Sequence, residues 1–143
     1  MEILRLLDHV VDIYLADFKY MDPEMSATYS SEAYSYPEIT QQALIEMNRQ
    51  VCIAKPNPFG IMDRGLMIRH LVMPGKVSGS ADAMRWIAEN LPLDTYVNIM
   101  IQYRPAYRAH LYSGIDTYVT RDGYQEVVML ARSLGLSNLD TDL

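Results

Sequence analysis

The stretch GLMIRHLVMPGKVSG, residues 65–79, begins as a buried β-strand and ends as a loop feeding a helix, yet Arg69 and His70 stand in its middle. Desolvating a guanidinium costs several kcal/mol unless it is paired. Either the strand has one uncovered face, or the arginine meets an anion. On a strand, neighbours point to opposite faces, so Arg69 shares one face with Met67, Leu71 and Met73, while His70 faces the other way. For His70 the sequence favours a core histidine satisfied by a backbone carbonyl over a ligand-binding one.

Outward from this strand the pattern repeats. Upstream, VVDIYLADF (residues 10–18) is a β-branched and aromatic run closed by the turn signals of YMDPE. SYPEITQQALIEMNRQ then reads as a helix, with Ser35 as cap, Pro37 near its first position and Ile39, Ala43, Leu44 and Met47 on one face. The prolines and glycines of VCIAKPNPFGIMDRG make a loop. Downstream, Ser78 or Ser80 is placed to cap a helix with Ala83, Met84, Ile87, Ala88 and Leu91 on one face, stopped by Pro92. TYVNIMIQY (95–103) is a third strand, TRDGYQEVVMLARSL (120–134) a helix capped by Thr120, and GLSNL (135–139) a short fourth strand.

Strands alternating with helices imply crossovers and a parallel sheet, hence an α/β domain of three to four strands. A doubly wound sheet and a half (β/α) barrel both fit, and both place ligands at the carboxyl ends of the strands. There the chain carries Asp17 and Lys19 on strand one, Arg69 on strand two, and Asn98, Gln102 and Arg104 along or after strand three. Tyr103 and Tyr107, around Arg104, suit stacking on a planar ligand as well as plain packing.

At 143 residues, half of them apolar, the chain has the size and composition of one soluble globular domain. A net charge of −6 and the absence of a Lys/Arg cluster argue against nucleic-acid binding. No stretch has the length of a membrane span or the pattern of a signal peptide, so the expected compartment is the cytoplasm. Cys52 is the only cysteine and reads as an inert thiol; by itself it cannot supply a four-thiolate site. His9, His70 and His110 lack metal-ligand spacing, so no metal site is expected. The ten methionines read as gap-filling core residues. Phosphate-cradling glycine motifs and a nucleophile elbow are missing.

Several phrases in order, VDIYLADFKYMDPEMSATYS, YPEITQQALIEMNRQV, RGLMIRHLVMPG, DTYVNIMIQYRPAYRA and GLSNLD, resemble the carboxyl-terminal half of pyruvate formate-lyase activating-enzyme-like radical S-adenosylmethionine proteins. The resemblance spans nearly the whole chain. It implies a partial (β/α) barrel whose lumen holds a four-iron, four-sulfur cluster and S-adenosylmethionine, with reductive cleavage of the latter to a 5′-deoxyadenosyl radical. In activases the substrate is a glycine of a glycyl-radical enzyme, which makes such an enzyme an implied partner.

DFK looks like the family's Asp-x-Lys strand end, which would set Asp17 and Lys19 against the amino-acid portion of the cofactor or a cation. IRHLVMPG looks like the strand whose arginine and following backbone line the cofactor pocket, nominating Arg69 and Leu71. Asn98 and Gln102 join them by strand parity, and Arg104 stands where activating enzymes place a cofactor-contacting histidine. The family's CxxxCxxC loop and first barrel strands have no counterpart in residues 1–143. The expectation is therefore a single domain that forms the carboxyl-terminal part of a barrel, with NLDTDL as its natural end. Alone it would bind neither cofactor and would be inactive, requiring a missing amino-terminal half or a second copy of itself. The alternative expectation is a non-catalytic half-barrel interaction domain.

Overall fold

A computed structural model of the chain describes residues 1–54 and 56–141; Lys55 of the proline-rich loop, and Asp142 and Leu143 of the closing NLDTDL, lie outside the described residues. Four strands, β1 (Ile13–Asp17), β2 (Gly65–Leu71), β3 (Tyr96–Met100) and β4 (Leu139–Thr141), form one all-parallel sheet in the sequential order β1-β2-β3-β4. The helices are α1 (Glu2–Leu6), α2 (Pro23–Tyr29), α3 (Tyr36–Val51), α4 (Ser80–Asn90) and α5 (Arg121–Ser133).

One face of the sheet is buried, and the other is largely open, with Gly65 and Met100 at its ends the buried exceptions. Tyr14 of β1, Leu66, Ile68 and His70 of β2, and Val97 and Ile99 of β3 are buried, and all but His70 belong to the main apolar core with Leu44 of α3, Met84 and Ile87 of α4, and Tyr124 and Val128 of α5. On the opposite face Ile13 and Leu15 are exposed, and Met67, Arg69, Tyr96 and Asn98 are only half-buried. Sequential strand order with the helices packed on one face is the arrangement of a (β/α) barrel segment, and it excludes the doubly wound alternative, whose strand order reverses. The fold is an α/β partial barrel.

Local sequence accounts for most elements, and the departures have identifiable causes. Asp22 caps α2, its Oδ1 accepting from the backbone N–H of Glu24 at 2.7 Å, and Pro23 occupies the first turn, so the residues read as a turn begin a helix. Thr120 caps α5 as expected, accepting from the Gly123 N–H. Neither Ser78 nor Ser80 caps α4: Gly79, at φ 63°, holds the cap position. Both hydroxyls are engaged elsewhere, with His70 and with each other. Ser35 stands at the α3 cap position without a side-chain bond, and Ile39, expected on the buried face, is exposed. β3 stops at Met100, so Gln102 and Arg104 follow the strand rather than extend it, and the fourth strand lies at Leu139–Thr141, starting on the last residue of GLSNL.

Candidate functional site at the carboxyl ends of the strands

The register of the sheet decides the geometry of the site. Asp17 pairs with Arg69, Arg69 with Asn98, and Asn98 with Asp140, one residue from each of the four strands. All four side chains therefore stand in one row across the uncovered face. Arg69 places its Nε 2.7 Å and a terminal guanidinium nitrogen 2.6 Å from Oδ1 of Asp17. Lys19, two residues past Asp17, sets its ammonium 3.0 Å from the other carboxylate oxygen. One carboxylate is thus shared by two cations, with a different oxygen for each. At the far end, Asp140 Oδ2 accepts from Asn98 Nδ2 at 2.8 Å and from the Tyr96 hydroxyl at 2.9 Å.

Arg69 is tolerable on a core strand because it lies on the open face and is paired. Its side chain is 41% exposed and that of Asp17 30%. Burial alone would raise the Asp17 carboxyl, but hydrogen bonds from Lys19 and Arg69 outweigh it and hold the carboxyl below the ordinary value of 3.8. Since both partners are partly solvated, the pair contributes modestly to stability. Asp17→Asn should lower the unfolding free energy by no more than about 1 kcal/mol in urea denaturation.

The backbone of this strand end is fixed by Tyr36, which the sequence does not single out, and by His70, a core histidine bonded to a backbone carbonyl as its sequence context predicts. The Tyr36 hydroxyl accepts from the Lys19 N–H at 3.0 Å and donates to the Asp17 carbonyl at 2.9 Å, spanning the exit of β1. Behind the sheet, His70 is fully buried. Its Nδ1 lies 2.6 Å from the Phe18 carbonyl, and its Nε2 lies 2.8 Å from Ser80 Oγ. A carbonyl only accepts, so Nδ1 carries the proton and Nε2 accepts from the Ser80 hydroxyl. Ser80 in turn accepts from Ser78, and Ser78 Oγ accepts from the Met73 N–H. The network assigns every proton in one direction and ties the exit of β1 to the loop after β2. Burial pushes the imidazole down to about 4, against the opposing hydrogen bond to Phe18, and so keeps it neutral.

The structure thus gathers Asp17, Arg69 and Asn98 in one row, with Lys19 beside Asp17 and Leu71 half-buried next to Arg69 along β2. Gln102 and Arg104 fall outside the row because β3 ends before them. The sequence places the fourth strand a few residues early and so gives no signal for Asp140; only the β3–β4 register assigns it. Tyr36 carried no signal, being the first residue of an ordinary helical pattern. Among the described residues, no group of three or more His, Cys, Asp or Glu side chains is placed to hold a metal ion. No helix among them is long and apolar enough to cross a membrane.

Over 134 residues the chain is 31% identical to an uncharacterized protein of Methanocaldococcus jannaschii, an alignment that takes in 93% of this chain and 35% of that protein. The chain spans about a third of the length of the curated relative it matches. No family model and no solved structure matches it.

Proposed function

We propose that this chain contributes the carboxyl-terminal half of an S-adenosylmethionine pocket in a cytoplasmic radical S-adenosylmethionine enzyme similar to the glycyl-radical activating enzymes, and that it is inactive without a segment supplying the rest of the barrel. The observation that supports this reading is the in-register row of Asp17, Arg69, Asn98 and Asp140, with Lys19 beside it, on the uncovered face of a parallel partial barrel. A carboxylate held between two cations complements a zwitterion. The α-ammonium of the cofactor would take Asp17, and its α-carboxylate would take Lys19 and Arg69. When bound, S-adenosylmethionine supplies the hydrogen-abstracting group. This chain's residues bind and orient its aminoacyl end, while the Tyr36 and His70 contacts hold the backbone that presents them.

The iron-sulfur cluster does not fit this chain. Cys52 is its sole thiol, and the Cys52 carbonyl accepts from the Leu66 N–H, at the amino-terminal end of β2 and away from the row. Cluster ligands must come from another segment, and the exposed Ile13 and Leu15 on the open face are the surface it would cover. A glycyl-radical enzyme is the protein substrate that this reading implies.

The test is to co-express the chain with a segment carrying a CxxxCxxC loop and the remaining strands, purify the pair anaerobically, and measure S-adenosylmethionine binding by equilibrium dialysis. The pair should bind the cofactor, with Asp17→Asn and Arg69→Ala each weakening binding by about ten-fold or more. The 143-residue chain reconstituted alone with iron and sulfide should show no cluster absorbance. Cofactor binding indifferent to both substitutions, or a stoichiometric cluster on the chain alone, would overturn the proposal. A pair that assembles without binding cofactor would make the chain a non-catalytic interaction module.

A further inference from the structure

A cavity of about 510 Å³ opens beyond the carboxyl ends of the strands. Its lining includes Tyr20, three residues after Asp17; Met73, two after Leu71; and Tyr103, three after Met100. It therefore continues β1, β2 and β3 at the end where barrels bind ligands. The walls come from α2 and from the segment that follows β3, which contribute Tyr29 and Tyr112 in edge contact, ring centroids 5.6 Å apart. The Tyr103 hydroxyl donates to the Ile115 carbonyl at 2.7 Å, and the Tyr20 hydroxyl accepts from Ser30 at 3.2 Å, so both rings are held in place.

Charge and backbone conformation distinguish this cavity from ordinary packing. Arg104 and Arg108 both line it, and neither makes an ion pair among the described residues; Arg108 lies 5.9 Å from the centre of the Tyr107 ring. Tyr107 itself is 88% exposed. Three lining residues, Ser31, Glu32 and Tyr107, adopt left-handed backbone at φ 54°, 61° and 53°. A non-glycine residue in that region costs on the order of 1–3 kcal/mol and concentrates at ligand sites. Here three occur around one cavity.

We propose that this cavity binds a small organic anion built on a planar ring, with the tyrosine rings stacking on the ring and Arg104 and Arg108 taking its carboxylate or phosphate. The volume lies within the range of roughly 300–1,000 Å³ typical of small-molecule sites. Unpaired guanidinium groups match planar oxyanions, and tyrosine faces match flat rings at little entropic cost. Glu32, also in the lining, disfavours a second anionic group on the ligand. Neither α2 nor the single turn at Ala109–Leu111 offers a strand edge on which an extended peptide would pair. As a binding site the cavity stands on its own lining; its role as the substrate subsite of the enzyme rests on the function proposed above.

The test is titration of the 143-residue chain, followed by NMR of the tyrosine rings, with phenyl phosphate and with phenylacetate, alongside inorganic phosphate and benzyl alcohol. The expected result is saturable shifts at Tyr20 and Tyr103 with phenyl phosphate or phenylacetate, whichever binds more tightly naming the anion. Binding should weaken by about ten-fold or more in the Arg104→Ala/Arg108→Ala double variant, with the buried His70 resonances unchanged as the check on folding. No saturable shift, equal binding by inorganic phosphate or by benzyl alcohol, or an affinity unaltered in the folded double variant would overturn it. Failure here leaves the S-adenosylmethionine assay standing, because that assay is read on Asp17 and Arg69 in the assembled pair.

Discussion

Replacing His70 by alanine lowers the unfolding free energy by about 3–5 kcal/mol in urea denaturation, a large share of a typical domain's stability. Two losses combine. A fully buried ring disappears from behind β2, and its partners, the Phe18 carbonyl and the Ser80 hydroxyl, lose bonds of 2.6 Å and 2.8 Å. His70→Asn, which retains an N–H donor near the Nδ1 position, should recover part of the loss.

The same residue sets an acid limb of stability. The imidazole titrates near 6.5 in the unfolded chain and near 4 when folded, so the folded form is the one that resists protonation. Its contribution is complete above about pH 6.5 and is lost as the pH falls toward 4, because the unfolded chain takes up the proton first. At ~1.4 kcal/mol per pH unit, stability declines by about 3 kcal/mol across that window. Glu46 and Asp17, both held below their ordinary carboxylate values of 4.5 and 3.8, begin to lose their contributions as the pH falls through those values, so the limb between pH 6.5 and about 4.5 is the part that reports His70. In His70→Asn that limb should flatten; an unchanged slope would refute the assignment.

Gly65→Ala should be comparably severe for a different reason. Gly65 opens β2 at φ 134°, and a Cβ added there would lie 2.2 Å from the Ala54 Cα and 2.5 Å from its backbone nitrogen. Ala54 is fully buried, and neither atom belongs to a side chain that can rotate away. The close approach exists because the segment after α3 runs beside β2, with Ile53 bridged to Leu66. Accommodation requires moving one backbone off the other, so a loss of about 4 kcal/mol or more is expected, read as a collapse of soluble yield or of the thermal midpoint. Gly60→Ala is the control, since Gly60 sits at φ 76° with nothing within 4 Å of the added Cβ. Only the backbone preference is then lost, about 1–2 kcal/mol.

Much of this architecture is legible along the chain because it is written in short-range periodicity. The spacing of Ala83, Met84 and Ile87, and of Tyr124, Val128 and Ala131, marks the buried faces of α4 and α5, all confirmed as buried. Strand alternation separates Arg69 from His70, and Asp17 meets Arg69 as the need for an anionic neighbour anticipates. Serines near helix starts are less legible. Ser78 and Ser80 look like caps because a hydroxyl there usually has no better partner, but the buried imidazole offers one.

What the sequence determined by itself is the alternation of the four strands with α3, α4 and α5, the parity of β2, and the residue types gathered at the strand ends, since each depends on neighbours a few positions apart. What only the tertiary structure decided is the register that aligns Asp17, Arg69, Asn98 and Asp140, the single covered face, the Tyr36 and His70 ties, and the tyrosine-lined cavity with Arg104 and Arg108 in its lining. These join residues dozens of positions apart. Their placement follows from how strands of different lengths pack in one sheet, and no local pattern encodes it.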